Sequence, residues 1–123
     1  MREIKFRGRV PDKGWLYGDL RYIGNNLIYI VDKFGHGSSV NPSTVGQFTG
    51  LKDADGLEIY EGDVIQVVTK NPYWAFKKNY DVYWDLDGFC LEGEPLYYWF
   101  KLHDLKVIGN VHDNPDLLEV EHD

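Results

Sequence analysis

Apolar residues in this chain come in short runs, and nearly every run is cut within a few residues by a turn-forming Gly, Pro, Asn or Asp. That punctuation constrains the fold most. A helix needs roughly 10–12 uninterrupted residues at a period of 3.6, whereas a strand is complete in about 4–8. From Glu3 to Arg7 the pattern alternates, Ile4 and Phe6 on one face and Glu3, Lys5 and Arg7 on the other, which predicts a first strand. Asp12-Lys13-Gly14 turns into a second strand, Trp15 to Tyr22, with Gly18 as a bulge, and Asn25-Asn26 turns into a third, Leu27 to Val31. Gly35 to Ser39 reads as a loop, and Thr44 to Thr49 as a short strand.

The second half repeats the logic. Leu57 to Tyr60, the β-branched Val64 to Thr69, Tyr80 to Trp84, Phe89 to Leu91 and Leu105 to Val111 read as strands, and Asp87-Gly88 as a hairpin turn. Leu96 to Leu102 is apolar and aromatic, and is expected to offer an open β edge. Leu117 and Leu118 are expected to dock as a helical turn. There is no repeat and no long amphipathic helix, so the expected class is all-β, a barrel or sandwich.

At 123 residues the chain suits one compact fold. Residues 1–50 are expected as an N-terminal strand region packed on residues 51–123, a barrel with a C-terminal tail. The expected core is Ile59, Val64, Val67, Val82, Phe89, Leu91, Val107 and Ile108, with Ile4, Phe6, Leu20 and Ile30 in the N-terminal part. A single cysteine, Cys90, forbids an internal disulfide and suits a reducing compartment. The charged N-terminus is not a signal peptide, and no run approaches the ~20 apolar residues of a membrane span, so the expected location is the cytoplasm, with no membrane partner.

Net charge is −7 and unevenly spread: residues 1–50 hold seven Lys/Arg against four Asp/Glu, while residues 51–123 hold six against sixteen. An acidic chain repels phosphate, and Arg2, Lys5, Arg7, Arg9 and Lys13 are the only basic cluster with which to bind nucleic acid.

Three stretches carry a resemblance: the opening MREIKFR, the central TVGQFTGLKDADGLEIYEGDVI from Thr44 to Ile65, and the closing VIGNVHDNPDLL from Val107 to Leu118. In their order and spacing they resemble the YopX-like family of phages and prophages. The resemblance implies an all-β structure with an SH3-like barrel from about residue 51 to 111, and no established catalytic residue, cofactor or substrate. Read physically, Gly50, Gly56, Gly62 and Gly109 suit tight turns or close backbone approach, and Asp53, Asp55, Asp63 and Asn110 suit turns whose backbone N–H groups need acceptors.

Sites of catalysis are hard to find. Asp53-Ala54-Asp55-Gly56 invites a calcium loop, but with Gly56 in the glycine place the first ligand would be Leu51 and the closing one Gly62. His36, His103, His112 and His122 lack partners at metal-ligand spacing, and no nucleophile elbow, phosphate loop or dinucleotide fingerprint is present. No catalytic residue, metal or cofactor is therefore expected.

The aromatic clusters are what remains. Tyr73, Trp74 and Phe76 sit among Lys70, Lys77 and Lys78, and Tyr97, Tyr98 and Trp99 follow the Pro95 turn. Such clusters pack a core or anchor a partner. The expected function is a non-enzymatic phage accessory protein that binds an unidentified host or phage protein through these six residues. The alternative is a nucleic-acid-associated protein, or an acidic mimic of DNA acting on a host factor. Four Trp, nine Tyr and six Phe strain the interior of so small a domain, which predicts self-association into a homo-oligomer through the Tyr97 to Phe100 segment or the Tyr73 to Phe76 loop.

Overall fold

A computed structural model describes residues 3–25, 27–69, 77–85 and 88–118. Strands account for 64% and helix for 10%, so the chain is all-β. It divides into two compact units, Met1–Gly50 and Leu51–Asp123.

In unit 1, β1 (Phe6–Val10), β2 (Gly14–Gly24), β3 (Leu27–Val31), β4 (Gly37–Ser39) and β5 (Asn41–Lys52, which runs past the unit boundary) lie in the order β4-β3-β2-β1-β5. β2 is long because it serves two partners. Its first half pairs with β1 through Phe6↔Gly18, and its second half with β3 from Asp19↔Val31 onward. Gly18 stands at this switch and is not a bulge: a Cβ there would fall 2.0 Å from the Val31 carbonyl oxygen, so the close approach demands glycine. The irregularity lies instead in β5, whose residues between Asn41 and Gly46 bulge opposite Arg7 to Arg9 of β1, and there Arg9 N donates to Thr44 Oγ1 and the Thr44 hydroxyl donates to the Asn41 carbonyl. The expected loop at Gly35 to Ser39 is half strand. Asp32 Oδ1 accepts from Phe34 N and His36 N, which closes the turn early enough for Gly37–Ser39 to pair with β3.

Ile30, Val40 and Phe48 are buried in unit 1, while Phe6 and Leu20 are half-buried. Ile4, expected in the core, is 67% exposed because it precedes the start of β1. Arg7, expected outside, is buried with its guanidinium 4.7 Å from the Trp15 ring centroid.

Unit 2 holds β6 (Glu58–Tyr60), β7 (Asp63–Thr69), β8 (Lys77–Asp81), β9 (Tyr83–Asp85), β10 (Gly88–Leu91), β11 (Glu94–Pro95), α1 (Leu96–Leu102), β12 (His103–Asn110) and a 3-10 helix (Pro115–Leu118). Two three-stranded antiparallel sheets have the orders β12-β7-β8 and β11-β10-β9. Among the described residues the sheets stay open and no barrel closes. The expected strand from Tyr80 to Trp84 is split. At Val82 the chain leaves β7 for β10, and the Val82 amide and carbonyl bond Asp63 O and Gly62 N instead of a ladder.

The core of unit 2 is Ile59, Ile65, Val67, Val82, Leu91, Leu96 and Leu105, with Phe89, Trp99 and Val107 packed against it. Val64, Ile65 and Val67 are all fully buried, so β7 is covered on both faces, as its unbroken apolar run requires. Ile108 is half-buried.

Leu96 to Leu102 is a helix, not a strand edge. Pro95 at its N-cap fixes φ at −57° and leads the chain off the hairpin. Leu96 and Trp99, three apart and hence on one helix face, then pack toward the core, and the Trp99 indole N–H donates to the Leu91 carbonyl at 2.9 Å. That burial outweighs the strand preference of the aromatic residues.

Candidate functional site

The acidic block from Gly50 to Asp63 is a set of backbone brackets. Asp53, 8% exposed, uses its whole carboxylate: Oδ1 accepts from Asp55 N and Leu57 N, and Oδ2 from Val107 N, each at 2.9 Å. Beside it Ala54 N donates to the Leu105 carbonyl. Together they complete the outer edge of β12 as a short surrogate strand. Asp63, 2% exposed, accepts from Tyr60 N at 2.7 Å, and Gly62 turns between them at φ 93°. Gly50 and Gly56 also take left-handed φ, 89° and 86°. Asp55 is the outward member, with Oδ2 3.9 Å from Lys106 Nζ.

The closing motif is built alike. Asn110 Oδ1 accepts from His112 N and Asp113 N, and Asn114 Oδ1 lies 3.3 Å from Asn110 N. A Cβ on Gly109 would meet that same Asn114 oxygen at 2.5 Å. The 3-10 helix that follows is tied to β8 by Asn79 Nδ2, which donates to Leu117 O, so Leu117 and Leu118 dock as a helical turn.

Among the described residues no three His, Cys, Asp or Glu side chains gather to hold a metal. His36 lies in an exposed turn 3.9 Å from Asp32, and His103 packs its ring 5.5 Å from Trp99.

The aromatic clusters meet different fates. Tyr73, Trp74 and Phe76 lie outside the described residues. Trp99 is a core-facing anchor, whereas Tyr97 and Tyr98 are each 58% exposed. Phe100, the end of the same aromatic run, and Leu102 are 39% and 49% exposed, less than Tyr97 and Tyr98, because Phe100 stands one turn after Leu96 and Leu102 one turn after Trp99, at the borders of the inward face. The Tyr97 and Phe100 rings stack at 6.4 Å, and Lys101 Nζ lies 5.6 Å from the Tyr97 ring centroid.

The approach to α1 is acidic and rigid. Leu91↔Glu94 closes a two-residue turn in which Glu92 and Gly93 have φ of 44° and 80°. Positive φ at both positions is the demand of a type I′ turn, which favours Asn, Asp or Gly over Glu. The Tyr83 hydroxyl accepts from Gly93 N at 2.7 Å and pins the tip, leaving Glu92 and Glu94 exposed.

Unit 1 has its own apolar tip: Tyr22 and Ile23, 76% and 57% exposed, stand beside an open depression of about 490 Å³ lined by Leu27, Ile28 and Pro42. Among the described residues no helix is long and apolar enough to cross a membrane.

Comparisons with known proteins agree with this anatomy. No curated protein matches the chain. The crystal structure of protein EF1440 from Enterococcus faecalis superposes with a TM-score of 0.62 at 23% identity, over 97% of this chain and 100% of that one, and so shares the fold. The model of the family described as YopX protein matches residues 21–119, across the central and closing motifs, and the chain belongs to that family.

Proposed function

We propose that the protein is a phage-encoded, non-enzymatic accessory protein that works in the host cytoplasm by binding another protein through the outward face of α1. One observation carries this reading: a seven-residue helix packs Leu96 and Trp99 against the core and still leaves Tyr97, Tyr98, Phe100 and Leu102 exposed, the two tyrosines most of all. A helix that is apolar all round belongs in an interior or an interface. At the sizes of these side chains the exposed apolar area is on the order of 400 Å², which is typical of a functional patch. In the same reading residues 51–111 follow an SH3-like path, with β6, β7, β8 and β12 supplying the barrel strands.

A photo-crosslinking amino acid at position 98, in infected cells, tests the function. The expected product is a discrete adduct with a foreign protein, absent when the same group replaces Asp19. Adducts with the chain itself alone, or none, overturn the proposal.

The second reading, an acidic mimic of DNA, is favoured by the six Lys/Arg against sixteen Asp/Glu of residues 51–123. It predicts competition with DNA for a host factor and no binding to DNA itself. Direct DNA binding draws no support from the first strand, since Arg7 is buried and Lys5 lies 3.4 Å from Glu3.

A further inference from the structure

We propose that the segment received by the α1 face is basic: an extended stretch of a partner protein rich in Lys or Arg, whose cations lie on the Tyr97 and Tyr98 rings and whose charge is met by Glu92 and Glu94. This rests on the proposed function and adds the chemistry of the partner. Three observations carry it.

The first is charge complementarity. Residues 51–123 carry ten more carboxylates than cations, and the hairpin feeding α1 contributes two of them, Glu92 and Glu94, both exposed. The second is that the patch already holds a cation of its own. Lys101 Nζ sits 5.6 Å from the Tyr97 ring centroid, so this ring, half in solvent, accepts a cation, and an incoming arginine, which stacks on a ring better than an ammonium, takes the place of Lys101. Tyr98 presents the same chemistry with no cation–ring contact of its own among those described. The third is preorganisation. The Tyr83 hydroxyl on Gly93 N, the Leu91↔Glu94 pairing and the Pro95 cap fix the backbone that carries Glu92 and Glu94 relative to the first turn of α1, so binding need order only their side chains. A second copy of the chain is a poorer occupant, because each copy carries −7 and this face is in its acidic unit.

The experiment titrates the isotope-labelled protein with a twelve-residue Gly/Ser peptide carrying four arginines, beside peptides with four leucines or four glutamates. The arginine peptide is expected to shift the amides from Glu92 to Leu102, and to bind several-fold more weakly at ~200 mM than at ~50 mM salt. The pair Y97S/Y98S is expected to weaken it about tenfold, at about 0.5–1 kcal/mol per cation–ring contact. E92Q/E94Q, which leaves the aromatic residues in place, should weaken it several-fold and flatten the salt dependence. The spectrum of each variant reports that it is folded. Equal binding of the leucine peptide, shifts confined to other residues, or indifference to both double variants overturns the inference. A cross-linked partner at position 98 whose complex ignores salt and E92Q/E94Q overturns the basic-segment inference and leaves the proposed function standing. Arginine-peptide binding without any cellular cross-link does the opposite.

Discussion

Replacing Asp53 by asparagine preserves the shape of the side chain and breaks the bracket it forms. In the native unit one carboxylate oxygen accepts two N–H groups and the other accepts Val107 N, at 8% exposure. An asparagine oxygen can serve Asp55 and Leu57, but its NH2 then faces the Val107 N–H, donor against donor. The loss is one hydrogen bond with its donor left unsatisfied, about 1–3 kcal/mol, plus the charge assistance of the other two, together about 2–4 kcal/mol. For a unit this size each kcal/mol is worth about 4–8 °C, so the melting temperature of D53N should fall by at least ~10 °C. Thermal unfolding followed by far-UV circular dichroism and tryptophan fluorescence measures it, with D55N as the control. Asp55 and Lys106 are 63% and 50% exposed at 3.9 Å, so that pair contributes at most ~0.5 kcal/mol. A D53N protein that melts with D55N would refute the bracket.

Other substitutions test separate links. G18A puts a methyl against the Val31 carbonyl oxygen, which cannot move without breaking β3, and should cost about 3 kcal/mol, read as a lower urea midpoint. W99F keeps an aromatic ring but removes the indole N–H that the Leu91 carbonyl accepts and part of the volume packed on the core, for a loss of about 2–3 kcal/mol by the same assay. Y97S/Y98S removes mostly exposed surface and the Tyr97 contacts with Phe100 and Lys101, and should change stability in urea by less than about 1 kcal/mol while abolishing the cross-link at the α1 face, monitored from Phe100.

Much of the strand placement was legible because β7, β10 and β12 carry their pattern locally, β-branched or apolar runs between turns, with Val64, Val67 and Leu91 buried as expected, although in β12 the buried residue is Leu105 while Val107 and Ile108 are half-buried. What escaped depends on partners distant in sequence. Nothing near Leu96 says that it packs with Ile59 and Leu105, yet that contact makes the segment a helix. Arg7 and Ile4 reversed their expected sides because the sheet begins only at Phe6 and Trp15 covers the guanidinium. The role of Asp53 as a turn acceptor follows from Asp-x-x-Gly spacing, but its third bond, to Val107, is 54 residues away. At the α1 face the run from Tyr97 to Phe100 was legible as a candidate, and only the helix separates Trp99, which turns to the core, from the exposed tyrosines.

That 54-residue span also orders the birth of the protein. The hairpins of unit 1 join neighbours, β1 to β2 to β3 to β4, and its last ladder, β1 to β5, is complete by Gln47. Unit 2 has no such independence. The edge that Asp53 and Ala54 supply has nothing to attach to until Leu105 and Val107 have left the ribosome, and β7 lacks its β12 neighbour for equally long. Closing that long loop is the slow step in a topology of non-local pairings. Until then β7 has β8 on one side and an uncovered apolar edge on the other, shielded from other nascent chains chiefly by the negative charge around it.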